Sequence, residues 1–349
     1  MLEKIFLGML VFIPITVAGH FLHLSPSILF FLSALAIVPL AKYIGEATEE
    51  LATYTGPAIG GLLNATFGNA TEFIISIFAL QAGLIEVVKA SITGSIIGNL
   101  LLVLGMSMFV GGWGREKQKF NKAASMAGGA TLLLAVIALV IPAIFALTAP
   151  QIGGQIIEEL SISVSVFMIV LYIASIFFTL VTHKHLYASE VGETEANWSK
   201  TKSIVILVLA TIGVAWMSEI LVGSIEPIVE SLGWTQLFIG VVVVAVVGNA
   251  AEHTSAIMMA MKNKMDLALQ VSVGSATQIV MFVAPLLVLV SLFFARPMSL
   301  IFNTFELVSI VASVFIVNFV VEDGESNWLE GLQLMMAYAI IAVAFFFHP

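Results

Sequence analysis

The sequence predicts an all-α integral membrane protein of eleven transmembrane helices, one leading helix followed by two five-helix repeats of inverted orientation. Three observations lead there. Hydrophobic residues fill 60% of the 349 positions and charged residues only 10%, where a soluble domain carries about 25% charged residues. Apolar runs close to the roughly 20 residues that cross a bilayer core recur from end to end, with a mean hydropathy of +1.10. A five-residue element containing a glutamate occurs twice, at residues 68–72 and 248–252. A water-soluble core of this composition would leave no polar surface. The short alternating segments of membrane β-strands are missing, so helices are the spanning element.

Taken in order, hydropathy places spans near 4–24, 27–44, 57–82, 86–111, 122–147, 158–182, 203–229, 235–261, 267–294, 300–320 and 332–347. The first reads as a retained span rather than a cleaved leader, because no small-x-small site follows Val17-Ala-Gly-His20. With the N-terminus cytoplasmic, the inner segments hold Lys4, Lys42, Arg115, Lys117, Lys119, Lys122, Lys184, Lys200, Lys202, Lys262 and Lys264. The outer segments hold only Lys89 and Arg296. That positive-inside bias puts the C-terminus outside, and a prokaryotic plasma membrane is the expected location. The hydrophilic stretch from His183 to Lys202, with Glu190, Glu193 and Glu195, reads as a solvated acidic linker on the cytoplasmic side. The expected organisation is therefore a leading helix over 1–26, a first repeat over 27–182, the linker over 183–202 and a second repeat over 203–349. There is no basic patch beyond Arg115 to Lys122, which disfavours nucleic acid as a partner despite the long chain. Zero cysteines exclude a disulfide, a thiolate metal site and a cysteine nucleophile.

The repeat is gapless. Gly68-Asn-Ala-Thr-Glu72 matches Gly248-Asn-Ala-Ala-Glu252 at an offset of 180, and the same offset pairs Ile59-Gly60 with Ile239-Gly240, Gly94-Ser95 with Gly274-Ser275, and Glu86 with Asp266. Five spans separate equivalent helices, and an odd number inverts the second copy. Inverted repeats of this kind place a substrate near the midplane where the copies meet.

A carboxylate deep in a membrane helix costs about 2.5–3.5 kcal/mol on insertion scales, so two symmetry-related glutamates in identical surroundings point to a function. Their neighbours suit a hard cation: calcium takes six to eight oxygens from carboxylates, amides and backbone carbonyls. Asn69 and Asn249 stand three residues before Glu72 and Glu252, on a shared helix face. Gly68 and Gly248 either let the helix unwind and offer carbonyls, or permit close helix packing. On the following helices Ser95 and Asn99 share a face, and Ser275 and Gln278 nearly do; Gln278 aligns with Gly98, so the repeat is imperfect there. Asn99 and Gln278 are candidate ligands through their amide oxygens, whereas Ser95 and Ser275 fit ligand and interhelical glue equally well. Two carboxylates balance one divalent cation. Without the metal, two adjacent anions in low dielectric favour protons in its place and titrate as one unit. One divalent ion or about two protons leaves the site neutral, and that makes a single site sufficient for antiport, with no separate cofactor.

The two glutamate elements, with His253, Gly274-Ser275 and Gln278 in order behind them, closely resemble the calcium/cation–proton exchanger family of the calcium/cation antiporter superfamily, over essentially the whole chain. The resemblance implies export of cytosolic Ca2+ in exchange for H+, with Glu72 and Glu252 as central ligands and proton carriers. It also implies sliding gating helices at the second and seventh spans, and a trimer as family precedent. Those two helices carry Glu46, Glu49 and Glu50, and Glu219 and Glu226; the last two, seven apart, are expected to share a face as portal acids. Glu86 and Asp266 fit vestibule charges, with ordinary loop charges the favoured alternative. His253 sits beside Glu252 in a neutral hydrogen-bonding role, with a proton relay as the alternative. A sodium-coupled exchanger of the same superfamily is the nearest rival; the Glu252-His253 pair and Gln278 favour protons. A passive cation channel is a more distant one. An intramembrane metalloenzyme lacks a His-Glu-x-x-His spacing. Selectivity between calcium and other divalent cations depends on cavity size and is not legible.

Overall fold

A computed structural model describes residues 2–183 and 196–348. Glu190, Glu193 and Glu195 of the expected linker lie outside the described residues. The described residues are helical almost throughout, and eight of their helices are long and apolar enough to cross a membrane, or nine if one bent pair counts as a span. The helical segments in chain order are α1 (Glu3–Phe21), α2 (Pro26–Phe67), α3 (Ala70–Gln81), α4 (Ile85–Gly112), α5 (Lys122–Thr148), α6 (Gly154–Thr182), α7 (Lys200–Gly223), α8 (Ile225–Leu232), α9 (Gln236–Gly248), α10 (Ala250–Met261), α11 (Met265–Ser291), α12 (Thr304–Val320) and α13 (Trp328–Phe347). The bent pair is α9 and α10, which meet at 62°. The chain is therefore an integral membrane protein.

Four differences from the hydropathy reading have local causes. The expected loop between residues 44 and 57 is helical throughout. The chain still reverses there: a Cβ on Gly60 would lie 2.8 Å from Ala52 Cβ, eight residues earlier, where a straight helix would place them about 12 Å apart. Between Ala52 and Gly60 the sequence holds Gly56-Pro57, a pair that disfavours a straight helix. The span expected over 57–82 is interrupted at Gly68 and Asn69, and that over 235–261 at Asn249. The span over 203–229 ends at Gly223 and restarts at Ile225. The last span begins at Trp328 rather than 332, because Asn327 and Glu330 form a reciprocal capping box that extends the helix into the loop.

Glycines set the closest approaches. A Cβ on Gly94 of α4 would sit 2.1 Å from the carbonyl oxygen of Val241, and one on Gly240 of α9 would sit 2.4 Å from Ala90 Cβ. The two helices thus cross backbone on backbone, as small residues allow in membranes. The residue aligned with Gly94, Gly274 of α11, has open space beside it. Gly94→Val is expected to force α4 and α9 apart at a cost of about 1–3 kcal/mol or more. The check is a lowered unfolding midpoint of the purified protein in detergent. Gly98→Ala, whose new methyl meets no atom within 4 Å, serves as the unchanged control.

Three loops are clasped together at one end of the molecule. Strand β1 (Gln118–Lys119) pairs antiparallel with β2 (Glu325–Ser326), and Lys117 donates to both carboxylate oxygens of Glu325 at 2.8 Å. Gln118 donates to the Ala260 carbonyl and to Asn263 Oδ1, each at 3.0 Å. These bonds pin the end of α10 to two distant loops. The turns at Gly83 and Gly233, both in the left-handed region that glycine tolerates, belong to the opposite end.

Candidate cation site at two kinked helices

Helices α3 and α10 begin alike. Asn69 (φ −100°, ψ 20°) and Asn249 (φ −102°, ψ 15°) depart from helical geometry, and neither side chain caps its own helix. Both amides are thus free to reach across to other helices. Glu72 and Glu252 occupy the first turns that follow, where the positive end of the helix dipole favours an anion.

The side chains from both halves join in one network. Ser95 donates to Glu72 Oε1. Asn249 Nδ2 donates to Ser95 Oγ at 2.8 Å and to the Ala245 carbonyl at 2.8 Å. Asn99 Nδ2 bridges Ser275 Oγ at 3.0 Å and Asn249 Oδ1 at 3.4 Å. Ser275 donates to Asn69 Oδ1 at 3.2 Å, and Asn69 Nδ2 to Gln278 Oε1 at 2.8 Å. The candidates Glu72, Asn69, Asn99, Asn249, Ser95 and Ser275 are buried, with Glu72 and Asn99 at 0% exposure. Glu252, His253 and Gln278 are half-buried. The two sides of the site are therefore unequal in access.

Three oxygens in this cluster have no partner. Glu72 Oε2, Glu252 Oε2 and Asn99 Oδ1 are buried and accept no hydrogen bond. Leaving such groups unpaired costs about 1–3 kcal/mol each, more when charged. All three are acceptors, so each is completed by a cation, a proton or a hydrogen-bond donor such as water. No group of three or more His, Cys, Asp or Glu side chains arranged to hold a metal ion occurs among the described residues. Two carboxylates with neighbouring neutral oxygens are the kind of donor set that a hard divalent cation takes. His253 Nε2 is also buried without a partner, adjacent in sequence to Glu252.

The glycines divide in role. A Cβ on Gly248 would touch Glu72 Cβ at 3.3 Å, so this glycine lets α3 pack against the α9–α10 kink. Gly68 itself is helical in φ and ψ, and the break falls one residue later, at Asn69. Packing and kinking, left open by the sequence, both operate, but on different residues.

The outlying acids separate. Glu86 and Glu226 line one cavity of about 620 Å3 with Gln236 and Arg296. Glu219 instead lines a smaller hollow of about 230 Å3 with His20 and Trp216, so the two acids line different hollows. Asp266 accepts the backbone N–H of Asn121 at 2.5 Å, which makes it a loop clamp rather than a free vestibule charge. One buried acid escaped the sequence reading. Glu306 accepts from Thr93 at 3.2 Å and from the Asn303 N–H at 2.9 Å, and Asn303 caps the helix in return. Its signal was the Asn-x-x-Glu capping box at the start of a span.

Comparison with known proteins places this geometry. The model of the sodium/calcium exchanger protein family matches residues 25–181 and 202–347. The chain belongs to the sodium/calcium exchanger family. Within that family it falls on the calcium/cation–proton exchanger branch. It is 47% identical over 365 residues to a Ca2+/H+ antiporter of Synechocystis, covering 99% of this chain and 98% of that one. It is 48% identical over 340 residues to the Ca2+/H+ antiporter ChaA of Bacillus subtilis, covering 96% of each. The solved structure of native YfkE superposes with a TM-score of 0.88 at 44% identity, over 98% of this chain and 100% of that one. A solved H+/Ca2+ exchanger at 14% identity shares the fold, with a TM-score of 0.70. The family assignment agrees with the resemblance carried by the two glutamate elements.

Proposed function

We propose that the protein is a secondary antiporter that exports Ca2+ in exchange for H+, with Glu72 and Glu252 holding calcium and protons alternately. The three unpartnered oxygens carry this reading: an acceptor-only site from both halves of the chain is completed by either ion. Asn69, Asn99, Asn249 and Gln278 supply neutral oxygens, and Ser95 and Ser275 orient them. Relatives 47% and 48% identical are Ca2+/H+ antiporters, which supports the ion pair and weighs against an enzyme. A metalloenzyme is disfavoured further by the two-carboxylate donor set.

The topology that fits is eleven spans, with the N-terminus cytoplasmic and the second five-helix repeat inverted. Its supports are the reversal between Ala52 and Gly60, the matched kinks at Asn69 and Asn249, and the family match in two separate stretches. The clasped loops fall on the inner side of this topology and the 620 Å3 cavity on the outer side. The crossing of Gly94 and Gly240 closes the outer half, while the equivalent space at Gly274 is open. We read this as the inward-facing state.

The test is calcium uptake by inside-out vesicles that contain the purified protein. An imposed pH gradient, acid inside, is expected to drive uptake in the absence of sodium. Uptake that requires sodium and ignores pH would overturn the proton assignment in favour of sodium coupling.

A further inference from the structure

Helices α3 and α4 form an antiparallel hairpin around Gly83. The contact between Glu72 and Ser95 fixes their register at the deep end, and the turn fixes it at the other. One helical turn from Glu72 toward the turn stands Ser76, and one turn from Ser95 in the same direction stands Ser91. Both share the helix face of the residue they follow. The register puts them level with each other. The next level is Leu80 and Val87, both buried and apolar. Beyond Leu80 lies the 620 Å3 cavity with Glu86 and Glu226.

Ser76 and Ser91 are each 1% exposed, and neither hydroxyl has a hydrogen-bond partner. Several buried serines here turn back onto a carbonyl four residues earlier, as Ser33, Ser165, Ser224 and Ser313 do. That local bond is equally available to Ser76 and Ser91, yet both hydroxyls point away from it. Ser218 on α7, which packs against α3, is likewise buried and unpartnered. Ser107 and Ser272 are also unpartnered but lie toward the opposite end. In the second repeat the positions matching Ser76 and Ser91 are Ala256 and Val271, so the feature is not a repeat property. Buried polar groups without protein partners call for an explanation, among them a functional role or contact with water or an ion.

We propose that Ser76 and Ser91 form a hydration station on the outer leg of the ion path. In the state described here it is closed by Leu80 and Val87. When the outer side opens, its hydroxyls take water, and through that water a hydrated divalent cation or a proton passes between the cavity and Glu72. This rests on the antiport reading and its topology. The apolar match in the second repeat means that the inner leg does not carry this pair at the equivalent positions.

The absence of native cysteine gives a direct test. Ser76→Cys, Ser91→Cys and Ala256→Cys variants are exposed to a charged, membrane-impermeant thiol reagent, in right-side-out and inside-out vesicles. Modification of the first two from the outer face, slowed by calcium, is expected; Ala256→Cys should resist from that face. No outer-face modification of Ser76→Cys and Ser91→Cys, or modification of all three alike, would overturn the proposal. In the Ser76→Ala/Ser91→Ala double variant, exchange should fall about tenfold, the scale of a lost water bridge, with calcium affinity by titration calorimetry unchanged. Exchange at the wild-type rate would also overturn it. Wild-type protein that fails to exchange calcium for protons would instead sink the antiport reading, while the thiol labelling still reports whether the serines are reached.

Discussion

Glu72→Gln and Glu252→Gln are each expected to abolish exchange while the protein inserts and purifies normally. Glutamine keeps the size and one carbonyl oxygen of glutamate but removes the charge. A calcium ion then sits in low dielectric with one carboxylate instead of two, and the residual charge has nothing to balance it. Breaking a buried charge pair by removing one partner costs about 3–5 kcal/mol, a factor of about 100 to several thousand in affinity. The proton half-cycle fails as well, because an amide carries no exchangeable proton at that position. Insertion should not suffer, since removing an intramembrane carboxylate relieves rather than adds cost. Asn99→Ala and Gln278→Ala remove only neutral oxygens and should weaken calcium binding without abolishing exchange. Radiotracer uptake by vesicles reconstituted with equal amounts of each variant makes the comparison. Substantial exchange in either glutamine variant would rule out the two-carboxylate mechanism.

Calcium affinity should rise steeply with pH and then level off. Protons and calcium compete for the same two carboxylates, so calcium binding releases whatever protons the site holds. By linkage, the logarithm of the affinity climbs with pH by the number of protons released. Where both carboxylates are protonated, that is about 100-fold tighter binding per pH unit. The slope falls to zero once the empty site binds no protons, so the gain is on the alkaline side and the loss on the acid side. Titration calorimetry in buffers of different ionisation enthalpy measures both the slope and the protons released per ion. Affinity independent of pH would separate calcium binding from proton carriage and require a second proton route.

Much of this site was legible before any coordinates, because the expensive residues announce themselves. A glutamate in an apolar helix is conspicuous, and its duplication at a fixed offset with Gly, Asn and Ala identified both halves at once. Asn99 and Ser275 followed from helical spacing, and the structure brings them into one network. Less accessible was anything set by the path of the backbone. The chain doubles back between Ala52 and Gly60 although helix flanks the reversal on both sides, where hydropathy expected a loop. The seven-residue spacing of Glu219 and Glu226 implied one portal, and the two acids line different hollows. Asp266 resembled a free charge until its backbone partner Asn121, far away in sequence, was visible. Glu306 was hidden for the opposite reason: its capping pattern lies at a span boundary, where attention fell on hydropathy rather than on helix ends.

The clasp at the end of α10 bears on how the protein is made. Gln118 and Lys117 hold Ser326 and Glu325 across about 208 residues of chain, and the same loop grips the end of the helix that carries Glu252. During synthesis the first half enters the membrane well before its binding partner for this clasp has left the ribosome. Until β2 emerges, the strand that holds the end of the Glu252 helix through Gln118 is itself unpaired. The clasp therefore closes only near the end of translation.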